Sequence, residues 1–280
     1  MKKRVFLIVQ NEPLLIPKVV RFLCAHQDDF EIAGFTALEA KRIHRTRFQW
    51  LIERFRIFSV KEKAIAMIQL GLCKLSFPFM KAISGKNPFS VRDVFDYSEI
   101  QETRTSDIND PDYLDKLVSL NIDVVVSVSS PQIFSAELLN LPRLYCLNAH
   151  GTLLPRHRGV FGSWWTLYCG DKYAGATIHK MGVKIDTGDI VWQRSFPVVE
   201  NCSQFALAWM TKRLIAIGVH EILKTMSGTP LRPIHPDWPK SYHRSPTRKQ
   251  AREFRNRGKK ILSFSDLLLT FKEFDFEDKA

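Results

Sequence analysis

Short apolar runs alternate with helical segments along the first half of this 280-residue chain. The run Val5–Val9 predicts a strand, Pro13–Cys24 predicts a helix that Pro17 kinks or opens, and Phe30–Phe35 predicts a second strand. A strand, helix, strand order favours a parallel sheet. The sequence therefore predicts an α/β fold built on a Rossmann-like, mostly parallel sheet.

The rest of the chain supplies further elements and then changes character. Asn109 or Asp110 caps a helix, and Asp123–Val128 is the strongest predicted strand. Other predicted elements are helices over 133–139, 164–169 and 203–226, and strands over 144–147, 174–179 and 190–198. From residue 230 prolines interrupt the chain, and the cationic run Arg244–Lys260 follows. We predict a main domain over residues 1–228 and a short basic C-terminal appendage over 229–280.

Composition narrows the class of protein. A hydrophobic content of 45% is enough for a substantial core. No apolar run approaches the roughly 18 residues that span a bilayer, and the apolar run near the N-terminus is too short for an export signal. The five cysteines are scattered and odd in number, which predicts neither disulfides nor a metal site and favours a reducing, cytoplasmic location.

The net charge of +12 favours an anionic partner. A phosphorylated substrate, a polyglutamated cofactor, nucleic acid and an anionic membrane surface all remain open. Much of this charge lies in Lys41–Lys63, where apolar residues at helical spacing predict an amphipathic helix: Phe48, Leu51, Ile52 and Phe55. A solvated helix face is the default interpretation of this insert, with membrane-surface or substrate binding as alternatives.

Asn148 and His150 form the most informative polar pair in the chain. They directly follow the apolar run Leu144–Leu147, and their spacing of two places both side chains on one side of an extended chain. The loop after them is rich in Pro, Arg and Gly, a composition that is unsuited to a hydrophobic core. Ligands of open α/β sheets bind beyond the carboxyl ends of strands, so the pair predicts an active site.

Three blocks in this order resemble one known family. They are the pattern Asn-x-His-x-x-Leu-Leu-Pro-x-x-Arg-Gly from Asn148 to Gly159, then Ala176–Met181, then Asp186–Ile190. Together they are similar to the formyltetrahydrofolate-dependent formyltransferases, which act on glycinamide ribonucleotide, methionyl-tRNA or amino sugars. The resemblance is dense from about Asp123 to Gln193 and weak in the tail.

The resemblance implies a cosubstrate and a set of site residues. The cosubstrate is 10-formyltetrahydrofolate, and the catalytic residues are Asn148, His150 and Asp186. In the family, the loop after the strand that corresponds to Asp123–Val128 holds the pterin through backbone groups. The residues assigned to cosubstrate binding are therefore Ser127, Val128, Ser129 and Ser130, together with Asp186. The loop after His150 is assigned to the acceptor substrate, through Thr152, Arg158 and Gly159.

The residue types fit formyl transfer independently of the resemblance. Attack of an amine on a formyl group gives a tetrahedral intermediate with an oxyanion, which requires preorganised donors. The Asn148 amide is one donor, and a protonated His150 is a stronger one. A carboxylate at Asp186 would raise the pKa of His150 and accept the proton that leaves the amine.

Simpler interpretations of these residues are also open. Asn148 could cap a turn, and Asp186 could be an Asx-turn residue. His157 and His179 are expected to line the fold, and Trp164 and Trp165 to lie in the core.

The acceptor is inferred from departures from the family pattern. Gln10–Pro13 lacks the Gly-rich phosphate loop of the purine-pathway enzymes, and the tail is short for the C-terminal barrel of the tRNA enzymes. We therefore predict a nucleotide-linked amino sugar as acceptor, no obligatory nucleic acid, and a protein that can form homodimers or associate with a membrane surface. Methionyl-tRNA is the alternative, since basic residues at helical spacing in the tail would suit phosphates: Arg248, Arg252, Arg255 and Lys259. A non-catalytic protein that binds nucleic acid or membranes is the rival from another class.

Overall fold

The computed structural model describes residues 2–39, 57–84, 89–226 and 230–276. The strands are β1 Lys3–Asn11, β2 Phe30–Glu39, β3 Val124–Val128, β4 Tyr145–His150, β5 Arg158–Gly159, β6 Tyr173–Lys180, β7 Ile190–Pro197 and β8 Tyr242–His243. The helices are α1 Ile16–Ala25, α2 Val60–Ser84, α3 Val91–Tyr97, α4 Pro111–Ser119, α5 Ala136–Asn140, α6 Gly162–Cys169, α7 Gln204–Thr225, α8 Arg248–Asn256 and α9 Asp266–Phe271.

Six strands form one mixed sheet in the order β2-β1-β3-β4-β6-β7. The first four pair in parallel, while β6 and β7 add at one edge in antiparallel orientation. This arrangement confirms the predicted α/β fold with a mostly parallel sheet. The strand pair β5 and β8 forms a separate small ribbon that joins the loop after β4 to the tail.

The strands of the sheet are buried on both faces because helices cover both. In β1, Val5, Leu7 and Val9 point into one core with α1, α3 and α7. Phe6 and Ile8 point into a second core with α4 and α5. A strand that is covered on both sides reads as a continuous apolar run, which is why β1 and β3 were recognised from the sequence.

Helix α1 begins three residues later than predicted. The Glu12 carboxylate accepts the backbone N–H groups of Leu14 and Leu15 at 3.1 and 2.6 Å, and also that of Ile16. It thus satisfies donors that the helix itself leaves unpaired at its N-terminus. Pro17 lies in the first turn, where it opens the helix and does not kink it.

Two helices between β2 and α4 were missed. Helix α2 carries apolar residues all around its surface, so it lacks the one-sided periodicity that identifies a helix from sequence. Helix α3 is short and is capped by the Ser90 side chain, which accepts the Asp93 N–H. The predicted amphipathic helix with Phe48 and Phe55 lies outside the described residues.

The tail packs against the main domain. Phe254 of α8 is buried and stacks on Trp164 with ring centroids 4.8 Å apart. Trp164 and Trp165 are both buried, which confirms their predicted place in the core. The predicted boundary near Gly228 lies outside the described residues, and the division into 1–228 and 229–280 stays a prediction.

The cationic helix face predicted in the tail does not include all four of its predicted residues. Helix α8 ends at Asn256, and Gly258 takes a left-handed φ of 72°, so Lys259 does not continue the face. The Arg255 guanidinium donates to the Ile57 carbonyl at 2.8 Å and thereby holds the tail to the domain. Arg248 and Arg252 remain exposed.

Candidate active site

The three predicted catalytic side chains meet at the carboxyl end of the parallel strands. Asn148 and His150 are the last residues of β4 on one side, and Asp186 follows from the loop after β6. Asn148 Nδ2 lies 3.4 Å from Asp186 Oδ1, and His150 Nδ1 lies 3.7 Å from the same oxygen. The predicted trio is therefore one cluster in space.

Asp186 is held in place by its own backbone and by a neighbouring amide. Its φ of 52° is left-handed, a conformation that Asp adopts in turns. Its Oδ2 accepts the Gly159 N–H at 2.7 Å. Burial raises the pKa of this carboxyl, but His150, His179 and the Gly159 amide outweigh burial and lower the pKa to about 2. Asp186 is thus a fixed anion at neutral pH.

His150 is neutral in this environment, which corrects one expectation. Burial lowers its pKa below 6.5, and the opposing charge of Asp186 does not restore it. Asp186 therefore acts in the predicted direction, but desolvation is the larger effect. His150 Nε2 lies 3.2 Å from the His157 carbonyl, so Nε2 carries the proton and donates it there. Nδ1 is then the nitrogen that can accept a proton, on the side of Asp186.

His179 belongs to the same cluster because antiparallel pairing of β4 and β6 sets it opposite Asn148. Its Nδ1 lies 2.9 Å from the Lys180 carbonyl and must donate, so Nε2 is free to accept the Asn148 amide at 3.1 Å. These contacts orient the Asn148 side chain with its NH2 group toward His179 and Asp186. His179 is buried and orients Asn148.

Lys212 of α7 is a site residue that the sequence analysis missed. Its Nζ donates to Ser129 Oγ at 2.5 Å, and burial lowers its pKa to about 8 although Glu12 opposes this effect. Ser129 has a left-handed φ of 59° in the loop after β3, two residues beyond Ser127, which pairs with Asn148 across β3 and β4. A lysine within a long, mostly apolar helix was the only signal in the sequence.

The other residues assigned to the formyl donor lie in or next to β3. Ser127 and Val128 are buried within the strand, where they pair with β1 on one side and β4 on the other. Ser130 Oγ bonds within the loop to the Gln132 backbone at 3.3 Å. Recognition of the formyl donor through backbone groups of this loop stays a prediction.

The three residues assigned to the acceptor differ in their surroundings. Thr152 is buried, and its hydroxyl donates to the carbonyl of Arg156 at 3.0 Å, which holds the loop. Gly159 donates its amide to Asp186. Arg158 has a buried Nε without a hydrogen-bond partner among the described residues. Thr152 and Gly159 thus shape the site from within, and Arg158 keeps an unpaired donor.

The tail strand β8 clamps the loop that holds both His150 and Asp186. The His157 amide donates to Ser241 Oγ at 2.8 Å, and Arg158 and Gly159 pair with Tyr242 and His243. His157 supplies the carbonyl that bonds His150, and Gly159 supplies the amide that bonds Asp186. Tail residues therefore support the positions of two of the predicted catalytic side chains.

The His157 ring extends this clamp. Its Nε2 lies 2.6 Å from Asp171 Oδ2 and donates to it, so its Nδ1 accepts from His243 Nε2 at 3.0 Å. With Cys169, these two histidines bring three potential metal ligands within 4.8 Å of one another. Both nitrogens of His157 already have hydrogen-bond partners, so hydrogen bonding accounts for this cluster.

Comparison with known proteins identifies the central segment. Residues 81–216 match a family model described as formyl transferase. Methionyl-tRNA formyltransferase of Blochmanniella pennsylvanica is 37% identical over 154 residues, and that of Lachnospira eligens is 34% identical over 119 residues. These matches cover 54% and 42% of this chain, and 42% and 37% of the relatives. The chain thus matches about two fifths of the length of each.

Solved structures with the same fold extend over most of the chain. Glycinamide ribonucleotide transformylase 1 of Symbiobacterium toebii covers 80% of this chain and 87% of its own, with a TM-score of 0.56 and 13% identity. A sugar N-formyltransferase from Shewanella covers 98% and 90%, with a TM-score of 0.51 and 17% identity. These neighbours share the fold, and the family model confirms the resemblance drawn from the motifs. Over residues 81–216, just under half of its length, the chain is similar to the formyl transferase family.

Proposed function

We propose that this protein transfers the formyl group of 10-formyltetrahydrofolate to the amine of a nucleotide-linked amino sugar. The observation that carries the proposal is the convergence of Asn148, His150 and Asp186 at the carboxyl end of the sheet. A non-catalytic protein that binds membranes or nucleic acid has no need for a buried, ionised carboxylate between an imidazole and an amide.

The chemistry assigned to the trio follows from their protonation states. Attack by an amine on a formyl carbon places positive charge on nitrogen and negative charge on oxygen. His150 is neutral and presents Nδ1 toward Asp186, so it can take the amine proton, and the Asp186 anion then stabilises the imidazolium. The same proton can return to the folate nitrogen that leaves when its bond to the formyl carbon breaks, which gives tetrahydrofolate and the formylated amine. The protonated His150 is a donor available to the oxygen, and the Asn148 NH2 group becomes a second donor when it exchanges its 3.4 Å contact with Asp186 for the oxygen.

The loop after β3 is the proposed site for the formyl donor. 10-Formyltetrahydrofolate supplies an activated formyl group when bound. Ser127, at the start of this segment, pairs with Asn148 across β3 and β4, and Lys212 bonds Ser129. One neighbouring structure, a sugar 3N-formyl transferase that is 18% identical with a TM-score of 0.51, was solved in the presence of dTDP and 5-N-formyl-THF. That neighbour supports a folate cosubstrate for this fold.

Glu12 argues against an acceptor that places its phosphate at the N-terminus of α1. Helix N-termini bind anions because their first N–H groups are unpaired. Here the Glu12 carboxylate takes the amides of Leu14, Leu15 and Ile16. An incoming phosphate would meet a carboxylate in its place. This favours an amino sugar over a ribonucleotide phosphate such as glycinamide ribonucleotide.

Methionyl-tRNA is a second candidate acceptor because the two relatives described above are methionyl-tRNA formyltransferases. Arg248 and Arg252 are exposed on α8, where they could contact phosphates. Binding through many phosphates would weaken steeply with salt, by about 0.7 to 0.9 in the log-log slope for each phosphate neutralised. A nucleotide-sugar diphosphate would give a shallow slope.

Two binding measurements test the proposal. 5-Formyltetrahydrofolate, an unreactive analogue, should raise the melting temperature by mass action, and Lys212→Met should weaken this effect. The salt dependence of acceptor binding then separates the two acceptors. No stabilisation at millimolar analogue would remove the folate assignment, and steep salt dependence with tRNA alone would favour methionyl-tRNA.

A further inference from the structure

Helix α2 has apolar side chains on both of its sides. Its inner side packs against the domain through Ile65, Ala66 and Cys73, which are buried. Its outer side, at spacings of three, four and seven residues, carries large apolar side chains that are 39% to 85% exposed: Val60, Met67, Ile68, Leu72 and Leu75. Large apolar side chains on a helix normally face a core or a partner rather than water. We therefore expect a binding partner to cover the outer side of α2.

The neighbouring tail enlarges this apolar surface. The Gln69 side chain donates to Thr270 Oγ1 at 2.8 Å, so α9 lies directly against α2. Leu268 of α9 is 78% exposed, and Phe264 just before α9 is 56% exposed. We call the exposed apolar residues of α2, together with Phe264 and Leu268, the α2 apolar face. Contiguous exposed apolar surface of this kind marks an interaction site.

Cations border the α2 apolar face and no exposed acidic residue lies on the described part of α2. Lys61, Lys63 and Lys74 are exposed along the helix. The Lys61 ammonium lies 6.0 Å from the ring centroid of Phe264. The single acidic residue of the helix, Glu62, is buried and accepts the amides of Ser59 and Ile261 at 2.7 Å each. The rim of the face is therefore positive.

We propose that the α2 apolar face binds the surface of an anionic lipid bilayer. Apolar side chains edged by lysines match the boundary between acyl chains and anionic headgroups. A second copy of this chain fits less well, because it brings the same lysine rim and the same net charge of +12. No helix in the described parts of the chain is long and apolar enough to cross a bilayer, so α2 would lie parallel to the surface.

Vesicle sedimentation tests this inference independently of formyl transfer. The full chain is mixed with vesicles of phosphatidylcholine alone, or of phosphatidylcholine and phosphatidylglycerol in equal amounts. We expect sedimentation with the anionic vesicles and at least about a tenfold loss of partitioning in Met67→Glu/Leu75→Glu. The matched control Val118→Glu/Val199→Glu changes two residues with similar exposure, 63% and 61%, elsewhere on the surface and should bind like the wild type.

The lysine rim is tested in the same assay. Lys63→Gln/Lys74→Gln should lower binding to anionic vesicles about tenfold or more, whereas Lys116→Gln/Lys172→Gln, which removes the same charge elsewhere, should have a smaller effect. Because all these side chains are exposed, unchanged melting temperatures are expected and are measured for each variant.

Three results would overturn the proposal. The wild-type protein could stay in the supernatant with anionic vesicles. The α2 variants could bind as well as their controls. Sedimentation velocity without lipid could instead show a dimer that Met67→Glu/Leu75→Glu dissociates, which would make the face an interface between two copies.

Discussion

Replacing Gly159, which has no side chain, with alanine should disable the active site. Gly159 has a φ of 96°, and an added Cβ would lie 2.3 Å from the His243 carbonyl oxygen. The backbone conformation costs an L-residue about 1–2 kcal/mol. The clash must also push β5 from β8, which endangers the 2.7 Å bond from the Gly159 amide to Asp186.

The expected loss follows from these two effects. A hydrogen bond to a charged group contributes roughly 1.5–3 kcal/mol, so Gly159→Ala should destabilise the fold by about 3–5 kcal/mol in total. Because Asp186 loses one of the contacts that orient it, kcat should fall at least about a hundredfold in the protein that remains folded. Thermal unfolding and steady-state formyl transfer measure the two quantities.

Gly170→Ala is the matched control. Gly170 also has a left-handed φ, 72°, at the end of α6, but an added Cβ would meet nothing within 4 Å. This variant should lose only the backbone cost of about 1–2 kcal/mol of stability and keep its kcat. The reasoning is refuted if folded Gly159→Ala keeps near-normal kcat, or if the two variants lose the same stability and activity.

The other predictions concern single side chains of the site. Asn148→Ala and His150→Ala should each lower turnover at least about a hundredfold without unfolding, and a variant near normal turnover would end that residue's assigned role. Burial lowers the pKa of His150 below 6.5, so kcat/KM should rise with pH as His150 loses its proton in that range. A kcat/KM that falls as pH rises through the same range would mean that the reaction requires a protonated His150 at its start. Lys212, with a pKa of about 8, should lose its charge above that pH, so the KM for the formyl donor should rise there in the wild type but stay flat in Lys212→Met. His243→Ala should lower kcat more than it raises KM, since it loosens the loop that holds His150, while His243→Gln should restore part of kcat; equal effects of both variants on kcat would contradict the clamp.

Local patterns in the sequence were enough for the sheet and for two of the three predicted catalytic residues, Asn148 and His150. Strands buried on both sides are apolar throughout, and Asn148 and His150 stand two apart at the end of one of them. Asp186 was recognisable as a candidate catalytic residue only because its block, Asp186–Ile190, recurs in a known family. Its place beside His150 depends on a left-handed turn and on the Gly159 amide, neither of which has a sequence signature.

The missed features all depend on contacts between distant parts of the chain. Lys212 and Ser129 are 83 positions apart, and Ser241 reaches His157 across 84 positions. Antiparallel register alone sets His179 opposite Asn148. The pKa of His150 was expected to rise because its carboxylate neighbour was visible in the sequence, whereas its burial was not.

Direct detection of the formylated product is the measurement that tests the central claim. The protein is incubated with 10-formyltetrahydrofolate and a panel of dTDP- and UDP-linked 3- and 4-amino sugars, with methionyl-tRNA in parallel, and products are identified by mass. We predict formylation of an amino-sugar nucleotide that requires the folate and is lost in Asn148→Ala. Formylation of methionyl-tRNA alone would identify methionyl-tRNA, the second candidate, as the acceptor. Unchanged product formation in Asn148→Ala would contradict the assignment of the active site.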